Sequence, residues 1–254
     1  MKCIVLVFII FSFSSFSQDR DWNLYKQAVS KSYDFKNLKK PKVLFNINDS
    51  NQNLAVSCNP RWNCSGAVGN WEKNGEFKEN IRVRMVSWVS KGTANKYFVP
   101  LVNGSKPYNT GSRHLWVSAF PQVQNFCRKI KTANVRLRLE QFMGLPPTGN
   151  KTHFVHVWVK PRDLFRPCYD ENVSDTECDY TLPKNISSEH SKWMNNQLID
   201  AYPKQGTRFP WTRLGYTYDW GNPKGYVGAS EYVIKANSDI YVESVTSMGI
   251  YCAK

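Results

Sequence analysis

Six cysteines spread from Cys58 to Cys252 constrain this chain more than any other feature of its sequence. Disulfides persist only in oxidising surroundings, so their meaning depends on where the chain is sent. The first residues address that question. Met1-Lys2 gives a short positive start, Cys3 to Phe16 is an apolar and serine-bearing run, and Ser15-Phe16-Ser17 places small residues where a signal peptidase reads. The pattern predicts a secretory signal peptide over residues 1–17, cut near Ser17 and carrying Cys3 away. The run is too short, and too polar at its end, for a membrane-spanning helix, and no later stretch approaches about 18 apolar residues. The expectation is a secreted chain, extracellular or periplasmic, with no transmembrane segment in its mature part.

An even number of cysteines in an exported chain reads as three disulfides, with connectivity left open by sequence alone. The pairing expected here joins Cys58 to Cys64 and Cys168 to Cys178 in two short loops, and ties the C-terminus to the middle through Cys127 and Cys252. Zinc is the competing use of cysteine. The chain has only four histidines, none at a finger-like spacing from a Cys pair, so no metal is expected.

Composition narrows the class. With 41% hydrophobic and 14% aromatic residues the chain is globular material, which excludes disorder, collagen-like repeats and coiled coil. Lys and Arg number 34 against 20 Asp and Glu, a net charge of +14. The excess is spread along the chain. An anionic or glycan surface is therefore at least as well matched a partner as nucleic acid, which calls for a basic helix or stripe.

No repeat or linker divides the chain. Residues 18–80 form a basic, turn-rich N-terminal region, with Lys36, Lys39, Lys40 and Lys42 close together and an Asn-rich stretch behind them. Residues 81–254 read as one domain with an insertion at about 161–210. Period-two alternation predicts strands over Ile81–Trp88, His114–Ser118, Val135–Glu140, Thr152–Val159, Ser230–Ile234 and Asp239–Glu243. Pro121 suits the first turn of a helix running to Ile130, and a second helix is expected from Ser188 to Tyr202. The fold class that follows is α+β: a single disulfide-stapled domain, mostly antiparallel or mixed β with a few helices.

Familiar catalytic motifs are missing. There is no G-x-S-x-G elbow, P-loop, dinucleotide fingerprint or H-E-x-x-H, so serine hydrolase, NTPase and zincin readings lack support. His153 and His156 lie three apart on a strand and point to opposite faces. His114 and His190 stand alone. The aromatic run Trp211, Tyr216, Tyr218, Trp220 and Tyr226 suits ring stacking, but its alternation assigns most of these residues to a sheet core.

One spaced set remains. Val83-Arg-Met85 carries Arg84 on a strand. His114-Leu-Trp-Val-Ser-Ala-Phe120 carries Ser118 into a helix. Ser230-Glu-Tyr-Val-Ile234 carries Glu231 at the start of a late strand. In this order the three segments resemble the pertussis-type ADP-ribosyltransferase toxins, and Thr152–Val159 is similar to their central strand. The Ser-Glu-Tyr run is also similar to the strand around the catalytic glutamate of poly(ADP-ribose) polymerases. The resemblance covers residues 81–245 in short pieces.

That resemblance implies a split sheet, NAD as substrate, and a glycosyltransferase toxin that passes ADP-ribose to a protein or other macromolecular acceptor, or else hydrolyses NAD. Glu231 becomes the catalytic carboxylate, Ser118 the hydroxyl that orients it, and Arg84 the NAD anchor. Phe120, Trp116 or Trp88 covers the nicotinamide face. The chemistry suits these side chains. Breaking the nicotinamide–ribose bond passes through an oxocarbenium-like ribose, which a fixed carboxylate stabilises more than the ground state. A guanidinium holds phosphate or ribose oxygens through paired hydrogen bonds.

The chain also departs from the pattern. Ala119 and Phe120 replace the second and third residues of the Ser-Thr-Ser motif. Ala229 stands two residues before Glu231, where arginine-modifying members carry a second glutamate, so arginine is unsupported as an acceptor. Arg82 shares a strand face with Arg84 and is the alternative anchor. The rival expectation is a non-catalytic secreted module that binds anionic or glycan surfaces.

Overall fold

Valine-rich alternation builds the centre of this molecule, because β-branched side chains pack well on a pleated surface. A computed structural model describes residues 8–58, 72–73 and 76–253. Its elements are, in chain order, α1 (Phe8–Tyr33), β1 (Val56–Ser57), β2 (Glu72–Lys73), β3 (Glu76–Phe77), β4 (Arg82–Val89), α2 (Lys91–Thr93), β5 (Tyr108–Asn109), β6 (Leu115–Ala119), α3 (Gln122–Arg128), α4 (Val135–Phe142), β7 (His153–Val159), β8 (Leu164–Phe165), α5 (Ser188–Ala201), β9 (Tyr216–Tyr218), β10 (Val227–Ser230), β11 (Tyr232–Ile234), β12 (Asp239–Ser247) and α6 (Met248–Cys252). The main sheet runs β5-β12-β7-β4-β6-β11-β8, with β1 added beside β4. Each of its pairings is antiparallel. The class is α+β with a mostly antiparallel sheet.

Period two sends alternate residues to opposite faces, and both faces are buried. Val83 and Met85 of β4 join Val155, Val157, Ile234 and Val242 in one core. On the other face Val86, Trp88 and Phe154 meet Val123 and Cys127 of α3, Leu139 and Phe142 of α4, and Tyr251 of α6. A third cluster seats Tyr25, Ala28 and Val29 of α1 against Tyr216, Tyr218 and Trp220. The aromatic run is core: Trp211, Tyr216, Tyr218 and Trp220 are all buried, and half-buried Tyr226 stacks on Tyr218 at 5.1 Å.

The N-terminal region is woven into the same body. The Leu44 N–H donates to the Thr176 carbonyl (2.9 Å) and the Ile47 N–H to the Val173 carbonyl (2.7 Å). The described side chains that α1 buries, Asp21, Tyr25, Ala28, Val29 and Ser32, all follow the expected cleavage at Ser17. No helix among the described residues is long and apolar enough to cross a membrane.

One expected strand is a helix. Val135–Glu140 belongs to α4. The Asn134 side chain accepts the Leu137 N–H at 3.0 Å and caps the first turn. Arg, Leu and Glu are good helix formers. Val135, Leu139 and Phe142, at helical spacing, face the α3 core, while Leu137 turns to the α1 cluster. Two partners, one on each side of the helix, produced an alternation that imitates a strand.

Two of the expected disulfides are present. Cys127 joins Cys252 with Cα atoms 5.2 Å apart, linking α3 to α6. Cys168 joins Cys178 with Cα atoms 6.2 Å apart. The expected Cys58–Cys64 bond involves Cys64, which lies outside the described residues.

Candidate functional site

The site arises where the sheet parts. Strands β4 and β6 pair only through Met85 with Ala119 and Val86 with Ser118. Beyond this seam β4 stays with β7 as far as Val89 and His153. Meanwhile β6 follows β11, pairing Leu115 with Ile234. Each strand keeps a different neighbour, so the two diverge, and a cavity of about 450 Å³ opens between them.

Glu231 enters this cavity from the break between β10 and β11. It precedes β11 rather than opening it as expected. Tyr232 pairs with Val117, so one more step of that register brings Glu231 beside Ser118. The backbone around it is fixed from several directions. The Glu231 N–H donates to the Gly215 carbonyl at 2.9 Å. The Ser230 N–H donates to Gln122 Oε1 at 2.9 Å, and Ser230 Oγ accepts the Phe45 N–H at 2.8 Å.

Gly215 is required where it stands. Its φ of +72° is left-handed, and a Cβ there would come within 2.7 Å of Arg166 Cδ and 2.8 Å of Cys178 Sγ. Arg166 is itself fully buried and gathers the loop that Cys168–Cys178 closes. Its Nε donates to the Asn172 carbonyl (2.9 Å) and its Nη2 to the Asp175 carbonyl (2.7 Å). The glutamate thus rests on a cross-linked, hydrogen-bonded support.

Its carboxyl has no such company. Among the described residues no hydrogen bond or ion pair reaches it, and burial pushes its pKa up to about 8. Desolvation penalises the charged form, and nothing nearby compensates. At neutral pH the free protein holds this carboxyl mainly as the neutral acid.

Tryptophans supply the cavity's flat surfaces. Trp88 and Trp211, each 5% exposed, and half-buried Trp116 all line it. Trp116 meets Trp211 edge-on at 6.3 Å and Trp193 at 5.9 Å, which braces that wall. Among the described residues the buried indole Nε1 atoms of Trp88 and Trp211 have no hydrogen-bond partner. Unpaired buried donors cost about 1–3 kcal/mol each and call for an explanation.

Four predicted site residues therefore come together: Glu231, Ser118, Trp88 and Trp116. Arg84 and Phe120 do not line the cavity. Arg84 points to the same face as Val86 but lies two residues back, on the far side of the seam. There its guanidinium sits 4.1 Å over the Phe120 ring. Its Nε forms an ion pair with Glu243 Oε2 at 2.5 Å. The register shift between Val242 and Ser244 is what brings Glu243 there. Arg82 is buried elsewhere and donates to the Glu79 and Ile81 carbonyls.

The histidines part as strand geometry requires. His156 is buried between Phe120 and Tyr251, with burial first and Arg84 second lowering its pKa to about 4. His153 contacts Thr152 on the other face through Nδ1. Among the described residues no three His, Cys, Asp or Glu side chains gather as a metal site.

Sequence reasoning missed several walls. Gln197 and Ala201 of α5, with Phe209 and Pro210 after it, close one side, so the segment read as an insertion is part of the site. Lys151 lines another side from a loop that carries no periodic signal. Trp211 was assigned to the core, and it is both core and lining. No family model matches this chain, and neither curated proteins nor solved structures give a match.

Proposed function

We propose that the cavity receives the nicotinamide–ribose end of NAD and cleaves the bond that joins them. The observation that carries this reading is the meeting of Ser118 and Glu231, remote in sequence, in one tryptophan-lined cavity at the seam of the sheet.

The chemistry runs from charge. The nicotinamide ring of NAD is a cationic pyridinium, and a flat indole face such as that of Trp88 or Trp116 suits it. As the C1′–N bond breaks, its electron pair returns to the ring nitrogen and neutral nicotinamide departs. Positive charge moves onto the ribose. An ionised Glu231 beside C1′ stabilises that charge in a partly desolvated cavity, and the Ser118 hydroxyl, which makes no hydrogen bond to the carboxyl in the free protein, turns to orient the carboxylate once it ionises. Water or another nucleophile then bonds to C1′ and gives up a proton. Ala229, fully buried two residues before Glu231, leaves an arginine acceptor without its usual acidic partner. Hydrolysis, or transfer to an acceptor other than arginine, is the better-supported outcome.

This reading places the protein outside the cell, with the signal peptide removed near Ser17 and disulfides bracing the mature chain. The rival, a binding module for anionic or glycan surfaces, keeps the basic surplus but loses most of its stacking platform, since four of the five aromatics of the run are buried.

The test is incubation of the purified protein with NAD and measurement of free nicotinamide. The expected pH profile follows from Glu231. Its ionised form acts and its free-state pKa lies near 8, so kcat/KM rises about tenfold per pH unit below that value and levels above it. In the complex the cationic ring favours the carboxylate, so the limb in kcat moves to lower pH. A flat profile between pH 6 and 8, or no release at all, removes the reading.

A further inference from the structure

Among the described residues that line the cavity, Lys151 is the one lysine or arginine and Glu231 the one carboxylate. The Thr152 N–H donates to the Val89 carbonyl at 2.9 Å, which fixes Lys151 near that end of β4. Glu231 and Ser118 lie at the Val86 end, across the seam. Three residues of strand separate Val86 from Val89, roughly 10 Å at about 3.3 Å per residue. Trp88 lies between them. The cavity thus has an acid at one end, an ammonium at the other and an aromatic face along the way.

Lys151 is held for this position. Behind it the buried Glu140 carboxylate accepts the Gly149 N–H at 2.6 Å, which fixes the loop leading to the lysine. Burial works against the ammonium and the Glu140 charge supports it. A half-buried cation at a cavity wall gains most from an anion that enters the same low-dielectric space. An ammonium also suits phosphate as a point charge. Arg84, to which the resemblance assigned that task, is already occupied by Glu243 and Phe120.

We propose that Lys151, not Arg84, binds the phosphate of a pyridine nucleotide whose anomeric carbon lies at Glu231. The inference rests on the nicotinamide–ribose reading of the cavity, and it narrows the substrate to the phosphorylated form. A ribosylated nicotinamide without phosphate fills the Glu231 end alone.

The test compares nicotinamide mononucleotide with nicotinamide riboside, each titrated against the full chain and followed by quenching of intrinsic tryptophan fluorescence. Wild type is expected to bind the mononucleotide at least about tenfold more tightly, a difference of 1.4 kcal/mol. Lys151→Met keeps the aliphatic stem. It, and Lys151→Gln as a second neutral variant, should erase that preference while leaving riboside affinity within about twofold, which also shows that the site is folded. Arg84→Met should keep the preference.

Equal affinities in wild type, no binding of either ligand, or a preference lost with Arg84→Met and kept with Lys151→Met would each overturn the assignment. So would equal weakening of both ligands by both Lys151 variants. The measurement needs no turnover. A protein that shows the Lys151-dependent preference but releases no nicotinamide sinks the catalytic reading and leaves the phosphate site standing.

Discussion

The helix-covered face of the sheet carries two charged regions, one on each side of the β4–β6 seam, and they have opposite fates. On one side Arg84 has an anion at 2.5 Å and an aromatic ring at 4.1 Å. On the other Glu231 has no counter-ion among the described residues, and its carboxyl is pushed up to about 8. A paired charge is spent on structure, whereas an unpaired ionisable group is held ready for a ligand at a standing cost in stability. The difference shows why fold-level placement of three residues on one face was not enough to place them in one site.

The largest expected contrast is in turnover. Glu231→Gln keeps shape and removes the ionisable group, so nicotinamide release should fall by about 10³-fold or more, equivalent to roughly 4 kcal/mol of transition-state stabilisation. Arg84→Met should change release by less than about tenfold, because its guanidinium is engaged across the seam. Reversal of these two magnitudes in initial-rate assays would return Arg84 to the site and remove Glu231 from it.

How much of this was legible in sequence follows from range. The strand β4 and the helix α5 rest on local periodicity, which two or three turns or pleats suffice to reveal. The alternation in α4 misled because two different cores claim opposite sides of one helix. Glu231 and Ser118 were visible because their neighbours form recognisable strand words. The occupation of Arg84 was not, since it depends on a register shift in β12, over 150 residues downstream in the chain. Lys151 and Phe209 lie on loops, whose contribution to a cavity is set by tertiary packing alone.

The disulfides sharpen the comparison, because each braces a different side. Cys127–Cys252 ties α3 to α6, whose Tyr251 packs near Arg84, across a sequence separation of 125. Cys168–Cys178, with a separation of 10, supports Gly215 and through it Glu231. Closing the longer loop constrains the unfolded chain more, so the Cys127→Ser/Cys252→Ser pair should lose about 3–5 kcal/mol and the Cys168→Ser/Cys178→Ser pair about 2–3 kcal/mol. Activity should follow the reverse order. Denaturant titration and release assays on both double variants check this, and equal activity losses would show that Glu231 does not depend on its cross-linked support.

A last contrast separates the two sides by pH. Glu231 titrates near 4.5 when unfolded and near 8 in the fold, so between those values the native state holds the extra proton, and stability falls as pH rises. His156 behaves oppositely: its pKa falls from 6.5 to about 4, the unfolded chain binds the extra proton between them, and stability is lost as pH falls. The window from 6.5 to 8 therefore belongs to Glu231 and the window from 4.5 down to 4 to His156. Each kcal/mol moves Tm by about 2–4 °C in a chain of this size. Melting curves should show Glu231→Gln gaining on the order of 10 °C over wild type at pH 8 and nearly nothing at pH 4.5. His156→Phe should flatten the decline below pH 6.5 and leave the upper window unchanged. If Glu231→Gln melts with the wild-type pH slope above 6.5, its carboxyl already has a partner there, and the asymmetry between the two sides of the seam does not exist.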